Sequence, residues 1–241
     1  MSEHLRREIE ALKKMILTLA AVVSESVSRA VSAVERRDPA LARKVIADDA
    51  EIDHREIEVE ESVLKILALH QPVATDLRFL VAILKMNNDL ERIGDLAVNI
   101  AERAIFLDRI SGMDIPMEFV DMARKAQAML RKSIDSLVEL DPRLAREVCV
   151  SDDEVDAMNR ETYTAVREGI RSNPESLDAN IHRLSISHHL ERIADHATNI
   201  AEDVVYLVEG RIVRHGAGSD DGIGDPNRAT IVRGEDYPSR D

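Results

Sequence analysis

Aromatic residues are almost absent from this chain of 241 residues, which has three Phe, three Tyr and no Trp. The core must therefore be built from Leu, Ile, Val, Ala and Met, a composition typical of long helices and helical bundles. Cysteine is equally scarce: the one Cys149 excludes an intramolecular disulfide and fits a reducing compartment. We interpret Cys149 as a small residue packed within a helix.

Positive charge is also scarce, because 32 Lys and Arg residues stand against 46 Asp and Glu residues, for a net charge of −14. Such acidity disfavours nucleic acid as a partner and suits a protein that attracts cations. The apolar run at residues 15–23 is well short of the ~18 residues that a membrane span needs. The N-terminus is amphipathic and contains acidic residues, unlike a cleaved signal. We predict a cytoplasmic protein without membrane insertion, which leaves peripheral recruitment to a membrane open.

One stretch of the chain occurs twice. Residues 87–102, NNDLERIGDLAVNIAE, and residues 187–202, SHHLERIADHATNIAE, are identical at ten of sixteen positions at an offset of 100 residues. At about 100° per residue, the repeated polar residues lie mostly on one stripe of a helix, opposite an apolar stripe. A polar face retained after duplication indicates a role beyond solvation. The repeated polar residues are Glu91 and Glu191, Arg92 and Arg192, Asp95 and Asp195, Asn99 and Asn199, and Glu102 and Glu202.

Apolar residues recur at a spacing of three to four along six segments, which are separated by short breaks that contain Pro. This pattern predicts six long helices joined by short turns, as in an antiparallel bundle. Asp38 and Asp141 each precede a Pro and are predicted to cap the following helix. The predicted all-α chain consists of two three-helix repeats, 1–112 and 113–210, and a disordered tail, 211–241, that is rich in Gly, Asp and Arg.

The middle helix of each half adds a second acidic pair with the same four-residue spacing. Carboxylates four residues apart lie one turn apart on the same helix face. Two such pairs on neighbouring helices would bring four carboxylates together, and their repulsion favours either protonation or a bound cation. An all-oxygen site suits Mg²⁺, Mn²⁺, Ca²⁺ or iron. The predicted metal ligands are Asp49, Asp53, Glu91 and Asp95 in the first half and Asp152, Asp156, Glu191 and Asp195 in the second, with Asn99, Glu102, Asn199 and Glu202 as an extension.

The chain resembles the PhoU family of phosphate-signalling regulators over about residues 5–209. The resemblance rests on LERIGDLAVNIAE and LERIADHATNIAE, on the DDAEID and DDEVD segments, on QPVATDLRFLVAILK and on the Asp-Pro helix breaks. The two copies differ where Ala194 replaces Gly94 and where Leu96 stands in the place of His196, the more familiar residue after that Asp. We interpret His196 as a surface residue or a support for a ligand.

The resemblance implies two tandem three-helix bundles related by a pseudo-twofold axis. The acidic motifs hold multinuclear iron or zinc clusters in some members of the family and no metal in others, so the same eight Asp and Glu residues are the implied ligands. With the ions that an all-oxygen site suits, the expected cofactor is iron, zinc, manganese or magnesium. It also implies a non-enzymatic regulator, often a homodimer, that restrains phosphate uptake and the phosphate-starvation response. The implied partners are the ATPase of the phosphate ABC transporter and the sensor histidine kinase.

Two other interpretations remain open. A metal-free helical adaptor would use the acidic faces as docking surfaces for basic partner loops. A ferritin-like di-iron enzyme is suggested by Glu51 and His54, which form a Glu-x-x-His motif, but that architecture uses a second copy and the aligned segment has Ala157 in place of His. The sequence contains no recognisable nucleophilic triad, Gly-rich phosphate loop or Cys/His zinc pattern, so an enzyme is disfavoured.

Overall fold

The computed structural model describes residues 3–109 and 117–210, and within these ranges the chain forms six α-helices, one short 3₁₀ turn and no strand. The all-α prediction is confirmed. The helices run antiparallel with short connections, three in each half. They are α1 (Glu3–Arg36), α2 (Pro39–His70), α3 (Ala74–Asp108), α4 (Met117–Glu139), α5 (Pro142–Ser172) and α6 (Leu177–Glu209), with the 3₁₀ turn at Pro174–Ser176.

The helix boundaries follow the local chemistry that the sequence predicts. The Asp38 carboxylate accepts hydrogen bonds from the backbone N–H groups of Ala40 and Leu41, and Pro39 occupies the first helical position of α2. Asp141 caps α5 in the same way through the N–H of Arg143. Each cap satisfies N–H groups that have no partner inside the helix. The predicted caps are confirmed.

One apolar core runs through both halves without interruption, from Leu5 to Leu207. The two halves meet where α3 packs along α6 and α1 packs against α4. Their interface also contains polar contacts between α3 and α6. Lys85 Nζ lies 3.1 Å from Asp203 Oδ1, and His196 Nδ1 lies 2.8 Å from Asp89 Oδ1. The third helix of each half, α3 or α6, therefore joins the two halves. Another face of each helix packs against the other two helices of its own half.

By length and composition alone, α1 is apolar enough to cross a membrane, with a mean hydropathy of 1.4 in its most apolar 18-residue window. This signal is weak, because the core helix of a bundle passes the same test. The side chains of Leu12, Ile16 and Leu19 are fully buried against the other helices. The apolar character of α1 is thus accounted for by packing.

Two predictions concern parts of the chain outside the described residues. The predicted boundary between repeats at 112/113 falls within residues 110–116, and the predicted disordered tail covers 211–241. Both stay predictions.

Candidate metal centres

The first acidic cluster lies where α2 crosses α3. Asp49 and Asp53 come from α2, and Glu91 and Asp95 come from α3. Burial raises the pKa of Asp49 to about 6, and the charges of Asp53 and Asp95 act in the same direction. Burial and the charge of Asp95 likewise raise the pKa of Glu91. The four carboxylates predicted from the first half are therefore close enough to repel one another.

The second acidic cluster occupies the matching place between α5 and α6. Asp156, Glu191 and Asp195 each offer one oxygen, and these three oxygens lie within 4.8 Å of one another. Within residues 3–109, no three carboxylates of the first cluster are this close. Burial, followed by the charges of Asp195 and Asp156, raises the pKa of Asp152 to about 6. Burial and Glu191 also raise the pKa of Asp195.

The converging oxygens of the second cluster fit a polyvalent cation. Asp152 Oδ1 is buried, and the Thr198 hydroxyl is a hydrogen-bond donor beside this carboxylate. One hydroxyl donor offsets only part of the cost of burying a carboxylate next to Asp156 and Asp195, so protonation or a bound cation is favoured. All the predicted donors are carboxylate oxygens, which suit hard and borderline ions. Metal ligation by these eight residues stays a prediction.

Gly94 explains how closely α2 approaches α3 at the first cluster. A Cβ atom at this position would lie 3.1 Å from two side-chain atoms of Ile52 and 3.5 Å from Asp49 Oδ1. The second half has Ala194 and the smaller Val155 at the aligned positions, and both are fully buried. In the first half a large side chain on α2 therefore packs against a glycine on α3. In the second half a smaller side chain on α5 faces an alanine on α6.

Sequence reasoning missed two residues beside the clusters. In the first half, burial raises the pKa of Glu56, which accepts a 2.8 Å hydrogen bond from Asn87 Nδ2. In the second half, His188 Nδ1 lies 3.0 Å from Glu191 Oε2. Glu56 follows Asp53 by three residues and His188 precedes Glu191 by three, so helical spacing alone could have found both.

The predicted extension of the clusters is only partly compatible with the structure. The Asn199 amide donates a 3.3 Å hydrogen bond to Asp89 Oδ1, so its nitrogen is committed to the contact between halves. Glu102 lies 3.5 Å from its neighbour Arg103. Asn99 is partly buried on α3. Glu202 acts electrostatically on Cys149, one turn before Asp152. The ligand roles of Asn99, Glu102, Asn199 and Glu202 stay predictions.

His196 belongs to the interface between halves. Its side chain is 13% exposed, and its partner Asp89 comes from the other half. Of the two interpretations of His196, the surface residue is wrong, because α6 turns this position towards α3; the support of a ligand stays a prediction. Repeat alignment could not reveal this contact, since it compares each residue with its copy and says nothing about partners across the interface.

Glu51 and His54, the Glu-x-x-His of the di-iron alternative, face outwards. Both are exposed, and they pair along α2 with Arg55 at 2.7 Å and Glu58 at 3.5 Å, respectively. A ferritin-like centre needs such side chains to project into the bundle core. The described part of α2 therefore offers no support for that centre.

Cys149 is partly buried against the core. Burial raises the pKa of its thiol to about 11, and the charges of Glu202 and Asp152 act in the same direction. The thiol is therefore protonated at neutral pH and weakly nucleophilic. This agrees with its interpretation as a packing residue.

Comparison with known proteins identifies the architecture. The family model described as PhoU domain matches twice, at residues 16–104 and 119–204. The chain belongs to the PhoU family. It is 36% identical over 209 residues to the phosphate-specific transport system accessory protein PhoU homolog of Aquifex aeolicus, a match that covers 87% of this chain and 95% of that relative. The PhoU homolog 1 of Thermotoga maritima is 36% identical over 210 residues, with 86% and 90% covered.

The fold agrees with a solved PhoU structure. The crystal structure of PhoU from Pseudomonas aeruginosa superposes with a TM-score of 0.82 at 33% identity, covering 86% of this chain and 99% of that one. The two tandem three-helix bundles predicted from the sequence are thereby confirmed. PhoU relatives are accessory proteins of phosphate-specific transport, which is consistent with a regulatory role.

Proposed function

We propose that this PhoU-family chain is a cytoplasmic negative regulator of phosphate uptake and of the phosphate-starvation response. It acts by contact with the ATPase of a phosphate ABC transporter and with a sensor histidine kinase, as a homodimer that is recruited peripherally to the membrane. The observation that carries the proposal is the family membership, since the relatives are named accessory proteins of phosphate-specific transport.

We further propose that the two acidic clusters bind iron, zinc, manganese or magnesium. Support comes from the convergence of Asp156, Glu191 and Asp195, and from the burial of Asp152 beside the charges of Asp195 and Asp156. A bound cation would offset the mutual repulsion of the carboxylates and stiffen the contact between the second and third helices of each half. We assign the ion a structural or regulatory role, because the proposed function needs no catalytic step.

A groove beside the second cluster is the docking place that the geometry favours. It has a volume of about 700 Å³ and lies between α5 and α6. Tyr163 and Ile181 line it and are 55% and 51% exposed. His188 lines the same groove and also contacts Glu191. A partner segment in the groove would therefore touch His188, which contacts the second cluster through Glu191.

The regulatory proposal is tested by deleting the gene in its host and restoring it as wild type or as Tyr163→Glu with Ile181→Glu. A starvation-promoter reporter in high phosphate should be derepressed in the deletion strain, silent with wild type and derepressed with the groove variant. The matched control is Ile57→Glu with Leu64→Glu, two exposed apolar residues of α2 in the first half. Unchanged reporter output in the deletion strain would contradict the regulatory role.

Elemental mass spectrometry of tag-free protein separates the metal-binding form from the metal-free adaptor. Wild type should retain stoichiometric metal, and the quadruple variant Asp49→Ala, Glu91→Ala, Asp152→Ala, Glu191→Ala should retain none at either cluster. Absence of metal from both proteins would favour acidic docking faces for basic partner loops. Wild type and the quadruple variant would then be compared in pull-downs with the transporter ATPase and with the sensor kinase.

A further inference from the structure

A second kind of polar cluster lies at the far end of the first half, remote in sequence from the acidic motifs. His4 and Glu8 are one turn apart on α1, and His70 is the last residue of α2. One ligand atom from each of the three residues lies within 4.8 Å of the other two. Two imidazoles and one carboxylate thus converge from two helices.

Glu8 is the centre of this cluster. Its Oε2 lies 2.6 Å from His70 Nε2, and its Oε1 lies 3.5 Å from His4 Nε2 and 3.9 Å from Lys65 Nζ. The rings of His4 and His70 are tilted, with their centroids 5.5 Å apart. Each carboxylate oxygen therefore faces a different imidazole, so the two rings and the carboxylate bound a common space.

Burial gives the cluster a closed side and an open side. The side chains of Glu8 and His70 are 19% and 16% exposed, whereas that of His4 is 70% exposed. Two donors are thus held by packing, and the third closes over them from solvent. The last turn of α2 adds the partial negative charge of a helix C-terminus, which favours a cation beside His70.

We propose that His4, Glu8 and His70 form a binding site for one zinc-like divalent ion, separate from the acidic clusters. Two imidazoles and one carboxylate are a known ligand set for Zn²⁺, with water in the fourth position. Ligand atoms around a tetrahedral Zn²⁺ stand roughly 3–3.5 Å apart. An ion would therefore replace the 2.6 Å contact between Glu8 Oε2 and His70 Nε2, and rotation of the exposed His4 side chain would bring in the third ligand. Imidazole donors favour Zn²⁺, Ni²⁺ or Co²⁺ over Mg²⁺.

The ion would tie the N-terminal turns of α1 to the C-terminal end of α2. These turns form an end of the bundle, where helices fray most readily. The aligned position of His70 in the second half is Asn173, at an offset of 103 residues (152 − 49 for the aligned Asp pair). The site therefore belongs to the first half and was not inherited by both copies.

The test uses the tag-free full chain with Asp49→Asn, Glu91→Gln, Asp152→Asn and Glu191→Gln. This silenced chain lacks two charged ligands in each acidic cluster, so that metal binding there is removed. Titration with Co²⁺ and competition with Zn²⁺ should show one ion per chain, with the visible absorption of a four- or five-coordinate Co²⁺ site. His70→Asn and Glu8→Gln should each weaken Co²⁺ binding at least tenfold.

The matched control is His54→Asn. His54 also sits one turn from a Glu, with Nε2 3.5 Å from Glu58 Oε1, and it is 74% exposed. It should leave Co²⁺ binding unchanged. If the silenced chain does not fold, as judged by circular dichroism, wild type and its His70→Asn variant are compared by elemental analysis, and the variant should hold one Zn²⁺ fewer. Absence of Co²⁺ and Zn²⁺ uptake, or uptake that survives both His70→Asn and Glu8→Gln, overturns the proposal.

Discussion

The two halves present the same four carboxylates at matched positions and surround them differently. Beside the first cluster, Asn87 binds Glu56, which adds a fifth carboxylate. At the aligned places of the second half, Ser187 donates a 2.8 Å hydrogen bond to Asn159, and no extra charge is introduced. The second cluster instead gains the His188 imidazole. Duplication kept the helix scaffold and its acidic pairs, whereas the neighbours that set charge and ligand type diverged.

We predict that the ions proposed for the two clusters differ. The extra carboxylate of Glu56 favours a hard cation at the first cluster, whereas three converging carboxylates next to His188 favour a borderline ion such as Zn²⁺ or iron at the second. The following four predictions test how far the halves differ.

The largest effect is expected from removing ligands of the second cluster. In a His70→Asn background, which removes the proposed zinc site at the end of α2, Zn²⁺ held at 100 times the dissociation constant of the second cluster should stabilise the protein by roughly 2.7 kcal/mol. Glu191→Ala with Asp195→Ala should abolish most of this gain, because two of the three converging oxygens are lost. The matched first-half variant, Glu91→Ala with Asp95→Ala, should lose less. Thermal melts with Zn²⁺ and with chelator measure both, and equal losses in the two variants would remove the proposed difference between halves.

The next largest effect concerns the contact that joins the halves. Asp89→Ala should cost about 1–3 kcal/mol of unfolding free energy, because it leaves the partly buried His196 and Asn199 side chains without their acceptor. The alignment pairs His196 with Leu96, so the first half offers no comparable polar contact at this place.

Chemical denaturation checks the Asp89 prediction. Leu96→Met, a change that nearly conserves volume at the aligned core position, is the control and should cost less. A cost for Asp89→Ala within about 0.5 kcal/mol of wild type would mean that this contact contributes little.

A smaller effect is expected from Gly94 and Ile52, which pack against each other at the first cluster and should be energetically coupled. Gly94→Ala gains up to about 1 kcal/mol of helix propensity but places a Cβ against Ile52, so its net effect should be near zero. In the Ile52→Val background, which resembles the second half, the same change should be more favourable by about 1 kcal/mol. A double-mutant cycle by urea denaturation measures this coupling, and strict additivity would show that the close approach is relieved elsewhere.

The smallest difference between the halves is expected in the pH dependence of stability, which should be alike in both. Because Asp49 and Asp152 have a folded-state pKa near 6 and a normal value of 3.8, the folded protein holds protons that the unfolded chain releases between about pH 4 and 6. The metal-free protein should therefore lose stability as pH rises through this window. Asp49→Asn and Asp152→Asn should each remove part of the loss.

Melting curves of metal-free protein, recorded with a chelator at pH 4 and pH 7.5, measure the stability lost between these two pH values. At this chain length, 1 kcal/mol corresponds to roughly 2–4 °C. The variants should match wild type at pH 4 and melt above it at pH 7.5. Variants that are less stable than wild type at pH 7.5 would indicate that the carboxylates make favourable contacts in the folded state.

Local chemistry made much of the fold predictable. Pro breaks and Asp caps mark helix ends within a few residues, and a helical period of 3.6 fixes which side chains share a face. The pairing of Asp49 with Asp95 across two helices followed from the duplication of both motifs. Contacts between distant segments were not predictable in the same way. His70 is 62 residues from Glu8, and Asp89 is 107 residues from His196, so only the packing of the bundle brings each pair together.

The continuous core has a thermodynamic consequence for the two clusters. Because α3 and α6 bury their apolar faces against each other, neither half has a complete core without the other. We therefore expect the described helices to melt in a single cooperative transition. An ion bound at either cluster then lowers the free energy of the whole native state by RT ln(1 + [M]/Kd). Occupancy of one half thereby protects the helices of the other half from unfolding and proteolysis, without any movement of one half relative to the other.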